Sequence, residues 1–232
     1  MGNLVQVLAD FPAQRSEKHP ILTCISVALG TVLGTLVAMM KMSKLKLIRG
    51  IAAVYVEVIR GTPILLQLYI FYFVLPNVLT FLKMTPFMWV SVALCINSAA
   101  YVSEVIRSGI QAVDKGQTEA ARCLGLSESQ AMLKIILPQA VRNILPALGN
   151  EFIMMLKETS LASTFFLGDL MTSYSIVNGA TYLTLEPLTI VGLIYLCMTF
   201  PLSKLVEWFG KKMTNPNSYH NHKKKSHAKE AA

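Results

Sequence analysis

GQTEAARCLGLSESQAMLKIILP, residues 116–138, is the longest polar, helix-favouring stretch in a chain that is otherwise largely apolar. It reads as two short helices around a turn. Gln117 and Thr118 lead into Glu119-Ala120-Ala121-Arg122-Cys123-Leu124, good helix formers with an acid near the positive helix start. Gly125 can stop that helix by taking the left-handed conformation. Ser127 is placed to cap a second helix, with Gln130 three residues on as in a capping box, and Pro138 follows Lys134 in its last turns. A helical hairpin of this kind, set between membrane spans, points to a docking surface for a soluble partner.

Membrane spans are what the flanking sequence supplies. Hydrophobic residues make up 53% of the 232 and charged ones 15%, against about 25% charged in soluble domains. Apolar runs reach the roughly 20 residues that cross a hydrocarbon core, and five spans are expected at about 21–40, 51–76, 87–112, 140–166 and 187–207. Basic residues cluster in Lys41–Arg49, in the loop 113–139 and after the last span, so these are cytoplasmic by the positive-inside rule. External segments hold only Arg15, Lys18 and Lys83 of the 21 Lys and Arg. The fold class is therefore an all-α membrane protein with its N-terminus outside and C-terminus inside. Residues 1–19 form an extracytoplasmic segment, 20–212 the transmembrane domain and 213–232 a basic, disordered cytoplasmic tail. The net charge of +8 belongs to this orientation signal rather than to nucleic-acid binding. Cys24, Cys95, Cys123 and Cys197 lie far apart without metal-ligand spacing and read as small apolar packers.

Within the spans the polar residues are few. Gly30 and Gly34 form a GxxxG that lets another helix approach closely, or are glycines simply tolerated in lipid. Glu57 and Arg60 are three apart and can pair. Pro63 predicts a break at Gly61-Thr62-Pro63; either this break borders a transport path, or residues 50–60 lie in the cytoplasmic interface and Pro63 begins the span. Asn97, Tyr101, Glu104 and Ser108, spaced by four, three and four, share one helical stripe. An acid facing lipid costs about 2.5–3.5 kcal/mol at mid-span, so the stripe faces protein or a water-filled cavity. It lines a substrate path, or it makes interhelical hydrogen bonds with no ligand; Glu104 can alternatively pair with Arg107 or Arg60. Glu151 and Glu158 share a face seven residues apart, and Glu158-Thr159-Ser160 lies toward the outer half.

Chemistry is conspicuous by what is missing. There is no GxxxxGK[ST] phosphate loop, no HExxH and no GxSxG. All four histidines, at 19, 220, 222 and 227, fall in the terminal segments. An enzyme is not expected, and no cofactor is expected on this chain.

The hairpin resembles the loop of permease subunits of ATP-binding-cassette importers, whose pattern is EAA, three residues, G, nine residues, I-x-L-P. Glu119-Ala120-Ala121, Gly125, Ile135, Leu137 and Pro138 match it without a gap. Arg60-Gly61-Thr62-Pro63 with Leu65, Leu66 and Gln67, then Asn97-Ser98-Ala99-Ala100-Tyr101 with Glu104 and Arg107, then Lys157-Glu158-Thr159-Ser160-Leu161, look like permeases for polar amino acids. Glu158 stands where many members carry Asp. The resemblance implies a type I importer permease fold in the bacterial inner membrane. It also implies a second permease copy, identical or homologous, a dimer of ATPase subunits that carries ATP and Mg, and an extracytoplasmic solute-binding protein. Glu119, Ala120, Ala121, Gly125, Leu126 and Pro138 would couple to the ATPase. Gly61, Gln67, Asn97, Tyr101, Glu104 and Glu158 would contribute to the substrate cavity. Two acids there favour a cationic substrate, although the α-ammonium group of any amino acid would serve as well. The rival reading from another class is a secondary transporter or channel that uses Glu104 or Glu158 as a proton or cation site.

Overall fold

The computed structural model describes residues 18–165, 167 and 170–214, and every regular element among them is helical. Four stretches are long and apolar enough to cross a membrane: Cys24–Lys41, Pro86–Gln111, Glu128–Phe165 and Leu185–Met213. A bent pair, Lys46–Gly61 with Ile64–Val78, makes the fifth when counted as one span. Of the expected 1–19 segment, only Lys18 and His19 fall within the described residues, as the start of the first helix. Of the 213–232 tail, Met213 and Thr214 end the last helix and the rest lies outside the described residues.

Helix α1 (Lys18–Lys41) lies along α5 (Pro86–Gln111), and its two glycines make that approach possible. A Cβ on Gly30 would sit 2.7 Å from Cβ and Oγ of Ser98, and one on Gly34 would sit 2.8 Å from the Ala99 carbonyl oxygen. The GxxxG is a packing seam within the chain. Further along, α5 packs on α8 (Leu137–Glu158) and α8 on α10 (Leu185–Thr214). The core gathers Leu68, Val90, Leu94, Met155, Ala162 and Phe165. Outward faces stay apolar, with Val32, Leu36 and Met39 of α1 and Leu193, Leu196 and Phe200 of α10 all exposed. Exposed apolar faces on this scale fit a hydrocarbon solvent rather than water. At 30 residues, α10 is about 45 Å long, so its end with Lys204, Glu207, Lys211 and Lys212 reaches past the hydrocarbon.

The second span is two helices, not one. Between α2 (Lys46–Gly61) and α3 (Ile64–Tyr69) the chain turns by 103° at Gly61-Thr62-Pro63. From α3 it continues through a π-helical turn, Ile70–Val74, into α4 (Leu75–Val78). A second π-helical turn, Met132–Ile136, joins α7 (Glu128–Ala131) to α8. Both widened turns end two residues before a proline, Pro76 and Pro138, so the carbonyl four residues back, on Tyr72 or Lys134, lies inside each. A proline ring crowds that carbonyl and withholds its own N–H, and a widened turn accommodates both. Pro138 therefore does not end the hairpin's second helix; it lies in the first turn of α8 with the helix running through it. Helix α8 correspondingly begins at Leu137, inside the spanning stretch, which finishes as a 3-10 helix, Thr159–Phe165. The remaining helices are α6 (Lys115–Cys123) in the loop and α9 (Leu170–Thr181), which packs on α10 through Leu170, Val177 and Val191.

Candidate functional site

The hairpin is built from its end signals. Asp114 caps α6 by accepting from the Gly116 N–H at 2.7 Å, a cap the sequence reading placed no residue for. At the other end Gly125 has φ +83°. Its N–H donates to Arg122 O at 3.0 Å and the Leu126 N–H to Ala121 O at 3.1 Å, the paired bonds of a left-handed glycine stop. Ser127 and Gln130 exchange the two bonds of a capping box, at 2.9 and 3.2 Å. Ala121 and Ala131 are buried where the two halves meet, while Glu119, Ala120, Leu124 and Leu133 face outward, Leu124 83% exposed. Glu119 forms no ion pair among the described residues. The loop also touches the first cytoplasmic turn, through Lys44 Nζ donating to Glu128 at 2.7 Å.

Next to this hairpin a cavity of about 420 Å³ opens between α2, α5 and α8, lined by Arg60, Tyr101, Glu104, Ser108 and Asn143 among others. Three cations surround the Glu104 carboxylate: Lys41 at 2.5 Å, Arg107 at 2.6 Å and Arg60 at 3.8 Å. Arg60 turns to Glu104 and to the face of Tyr101, 5.4 Å from the ring centroid, rather than to Glu57. Both Glu104 partners considered from the sequence are present. Lys41 was not foreseen, because it comes from α1, 63 residues away.

The stripe on α5 divides. Tyr101, Glu104 and Ser108 face the cavity. Asn97 is 2% exposed and donates through Nδ2 to Gln67 Oε1 at 2.9 Å. The Gln67 amide in turn donates to Ile59 O at 2.8 Å and Thr62 Oγ1 at 2.9 Å, at the end of α2 across the break from its own helix. Asn97 and Gln67 thus tie the break to α5, and Tyr55 adds a bond to Ile96 O at 2.6 Å. Asn97 Oδ1, Ser98 Oγ and Ser26 Oγ are buried without partners among the described residues. Gly61 sits at the break with open space around it. Glu158 ends α8, partly buried, two turns beyond Glu151, which is 6% exposed. Of the six candidates, then, Tyr101 and Glu104 share the cavity wall, Gln67 and Asn97 form the hydrogen-bonded tie behind it, Gly61 lies at the break, and Glu158 lies at the other end of α8.

Comparison with known proteins follows from this architecture. A family profile described as "Binding-protein-dependent transport system inner membrane component" matches residues 30–215. The arginine transport system permease protein ArtQ of Bacillus subtilis (strain 168) is 46% identical over 187 residues, 79% of this chain and 84% of ArtQ. The probable glutamine ABC transporter permease protein GlnM of the same organism is 40% identical over 196 residues, 84% of this chain and 90% of GlnM. A crystal structure of an amino acid ABC transporter with histidines superposes with a TM-score of 0.84 at 44% identity, covering 90% of this chain and 97% of that one.

Proposed function

This chain belongs to the inner membrane components of binding-protein-dependent transport systems, multi-pass proteins with the helical permease fold, and from that premise we propose that it is the permease subunit of an ATP-driven importer for a polar amino acid. The observation that carries the coupling half of this reading is the hairpin. It is a short, end-capped unit with Glu119, Leu124 and Leu133 exposed, and it is continuous with a membrane-crossing helix. A soluble ATPase that grips it moves α8 directly. ATP and Mg belong to that ATPase, a dimer of which would take one hairpin from each of two permease copies, and an extracytoplasmic solute-binding protein would deliver the amino acid from outside. The names of the relatives, arginine and glutamine permeases, support the substrate class.

Closure of the ATPase dimer would be a rigid-body switch between two states of the bundle. In the secondary-transport reading Glu104 or Glu158 would bind and release a proton or cation. Glu104 is instead tied to Lys41 and Arg107 at 2.5 and 2.6 Å, and a coupling hairpin has no task in such a carrier. The decisive experiment reconstitutes the chain with its ATPase and solute-binding protein in liposomes. Uptake of labelled L-arginine or L-glutamine should require internal or external ATP at the ATPase face and persist when ionophores collapse all ion gradients. Uptake that follows an imposed ion gradient without ATP would overturn the proposal.

A further inference from the structure

The cavity beside the hairpin is not an acidic pocket. Glu104 is engaged at 2.5 and 2.6 Å by Lys41 and Arg107, both held mostly away from solvent. Arg60 lies further off, at 3.8 Å, with 43% of its side chain exposed. Among the described residues the Arg60 guanidinium donates no hydrogen bond within the usual range. Besides that loose pairing with Glu104, it lies over the Tyr101 ring, 5.4 Å from the centroid. A guanidinium held by its face keeps its edge N–H groups for a planar, bidentate acceptor. Three cations meet one acid here, and Glu151, whose charge also reaches Arg60, still leaves an excess of one positive charge when counted as an anion. With only neutral side chains lining the rest of the cavity, such an excess calls for an anionic guest.

We propose that this cavity is a carboxylate subsite, in which Arg60 takes the α-carboxylate of the amino acid as it passes toward the cytoplasm. The assignment rests on the amino acid importer reading above and adds to it the residue that recognises the group common to every such substrate. About 420 Å³ is within the usual size of small-molecule sites. Ser108 and Asn143 line the same space with polar side chains. The cavity therefore selects for the shared backbone of the substrate and leaves discrimination among side chains to other surfaces.

The test uses the permease–ATPase complex in detergent, without the solute-binding protein, so that only the membrane site is read. Binding of radiolabelled L-arginine and L-glutamine is measured, with agmatine and 4-aminobutanamide, their decarboxylated counterparts, as competitors. Wild type should bind at least one amino acid, and the matching decarboxylated compound should compete at least tenfold more weakly. Arg60→Gln should weaken that binding tenfold or more, with Arg60→Lys between the two, because a charge-assisted pair is worth roughly that much. A smaller loss, or equal competition by the decarboxylated compound, overturns the subsite. Should Arg60→Gln fail to assemble, the competition on wild type still decides. Wild type that binds neither amino acid also overturns the subsite, while the liposome uptake described above separately decides the importer reading. Saturation instead by phosphatidylglycerol would assign the anion to a lipid headgroup and likewise remove the subsite.

Discussion

Gly125 offers the cleanest perturbation of the coupling hairpin. Its φ of +83° lies in the left-handed region, and an added Cβ would meet nothing within 4 Å. Substitution there is thus a backbone effect with no steric component inside the chain. For an L-residue with a Cβ the left-handed conformation costs about 1–2 kcal/mol, which raises the local opening equilibrium by roughly 5- to 30-fold. The opening is read at the Leu126 amide, whose bond to Ala121 O at 3.1 Å closes the turn. Hydrogen exchange at Leu126 should accelerate by that factor in Gly125→Ala, and by less in Gly125→Asn, since Asn visits this region more readily. Gly125→Trp carries the same backbone cost as Ala, because the left-handed penalty falls on any L-residue with a Cβ. Any further loss in Trp therefore reports what sits outside the hairpin. Co-purification with the ATPase should fall modestly in Gly125→Ala and steeply in Gly125→Trp, and ATP-driven uptake should fall with it. Unchanged Leu126 exchange in the Ala variant would refute the strain argument. Equal ATPase binding by the Ala and Trp variants would refute the docking surface.

Three further outcomes are expected. Gly34→Ala should destabilise the α1–α5 seam by about 1–3 kcal/mol, seen as a lower thermal unfolding midpoint in detergent, because its Cβ would lie 2.8 Å from a backbone oxygen; Gly61→Ala, in open space, should leave that midpoint nearly unchanged. Glu104→Gln leaves Lys41 and Arg107 facing each other without their anion, at about 3 kcal/mol, and adding Lys41→Met should recover part of the loss in a double-mutant cycle. Asn97→Leu removes the donor to Gln67 Oε1, which should cost about 1–3 kcal/mol and slow uptake while the complex still co-purifies; full uptake by this variant would mean the tie does not serve transport.

How much of this was legible in the sequence depends on how far apart the partners lie. Features written in neighbouring residues came through: the Ser127–Gln130 box, the left-handed Gly125, and the break before Pro63 each need only a few adjacent positions. The spans came through because hydrocarbon imposes length and apolarity on contiguous sequence. Pairings across the fold did not. Lys41 reaches Glu104 over 63 residues and Asn97 reaches Gln67 over 30, and helical spacing on α5 alone cannot report either. The stripe from Asn97 to Ser108 was real as a periodicity, yet crossing helices assign its two ends to different neighbours. Pro138 misled for a related reason: a proline stops a helix only if the backbone does not widen to receive it, and Met132–Ile136 widens.

That widened turn also fixes the mechanics. It makes Glu128 to Glu158 one continuous shaft, about 45 Å long at 1.5 Å per residue. Tilting such a shaft by about 10° carries its far end through about 8 Å, on the order of a helix diameter. The shaft also has a phase. Deleting a single residue from α8 itself, where the winding is ordinary, would rotate the hairpin by about 100° around the axis of the span. The gripped face would then point away from its partner while every side chain on it stayed the same. Transmission through this part of the chain is therefore sensitive to length before it is sensitive to composition.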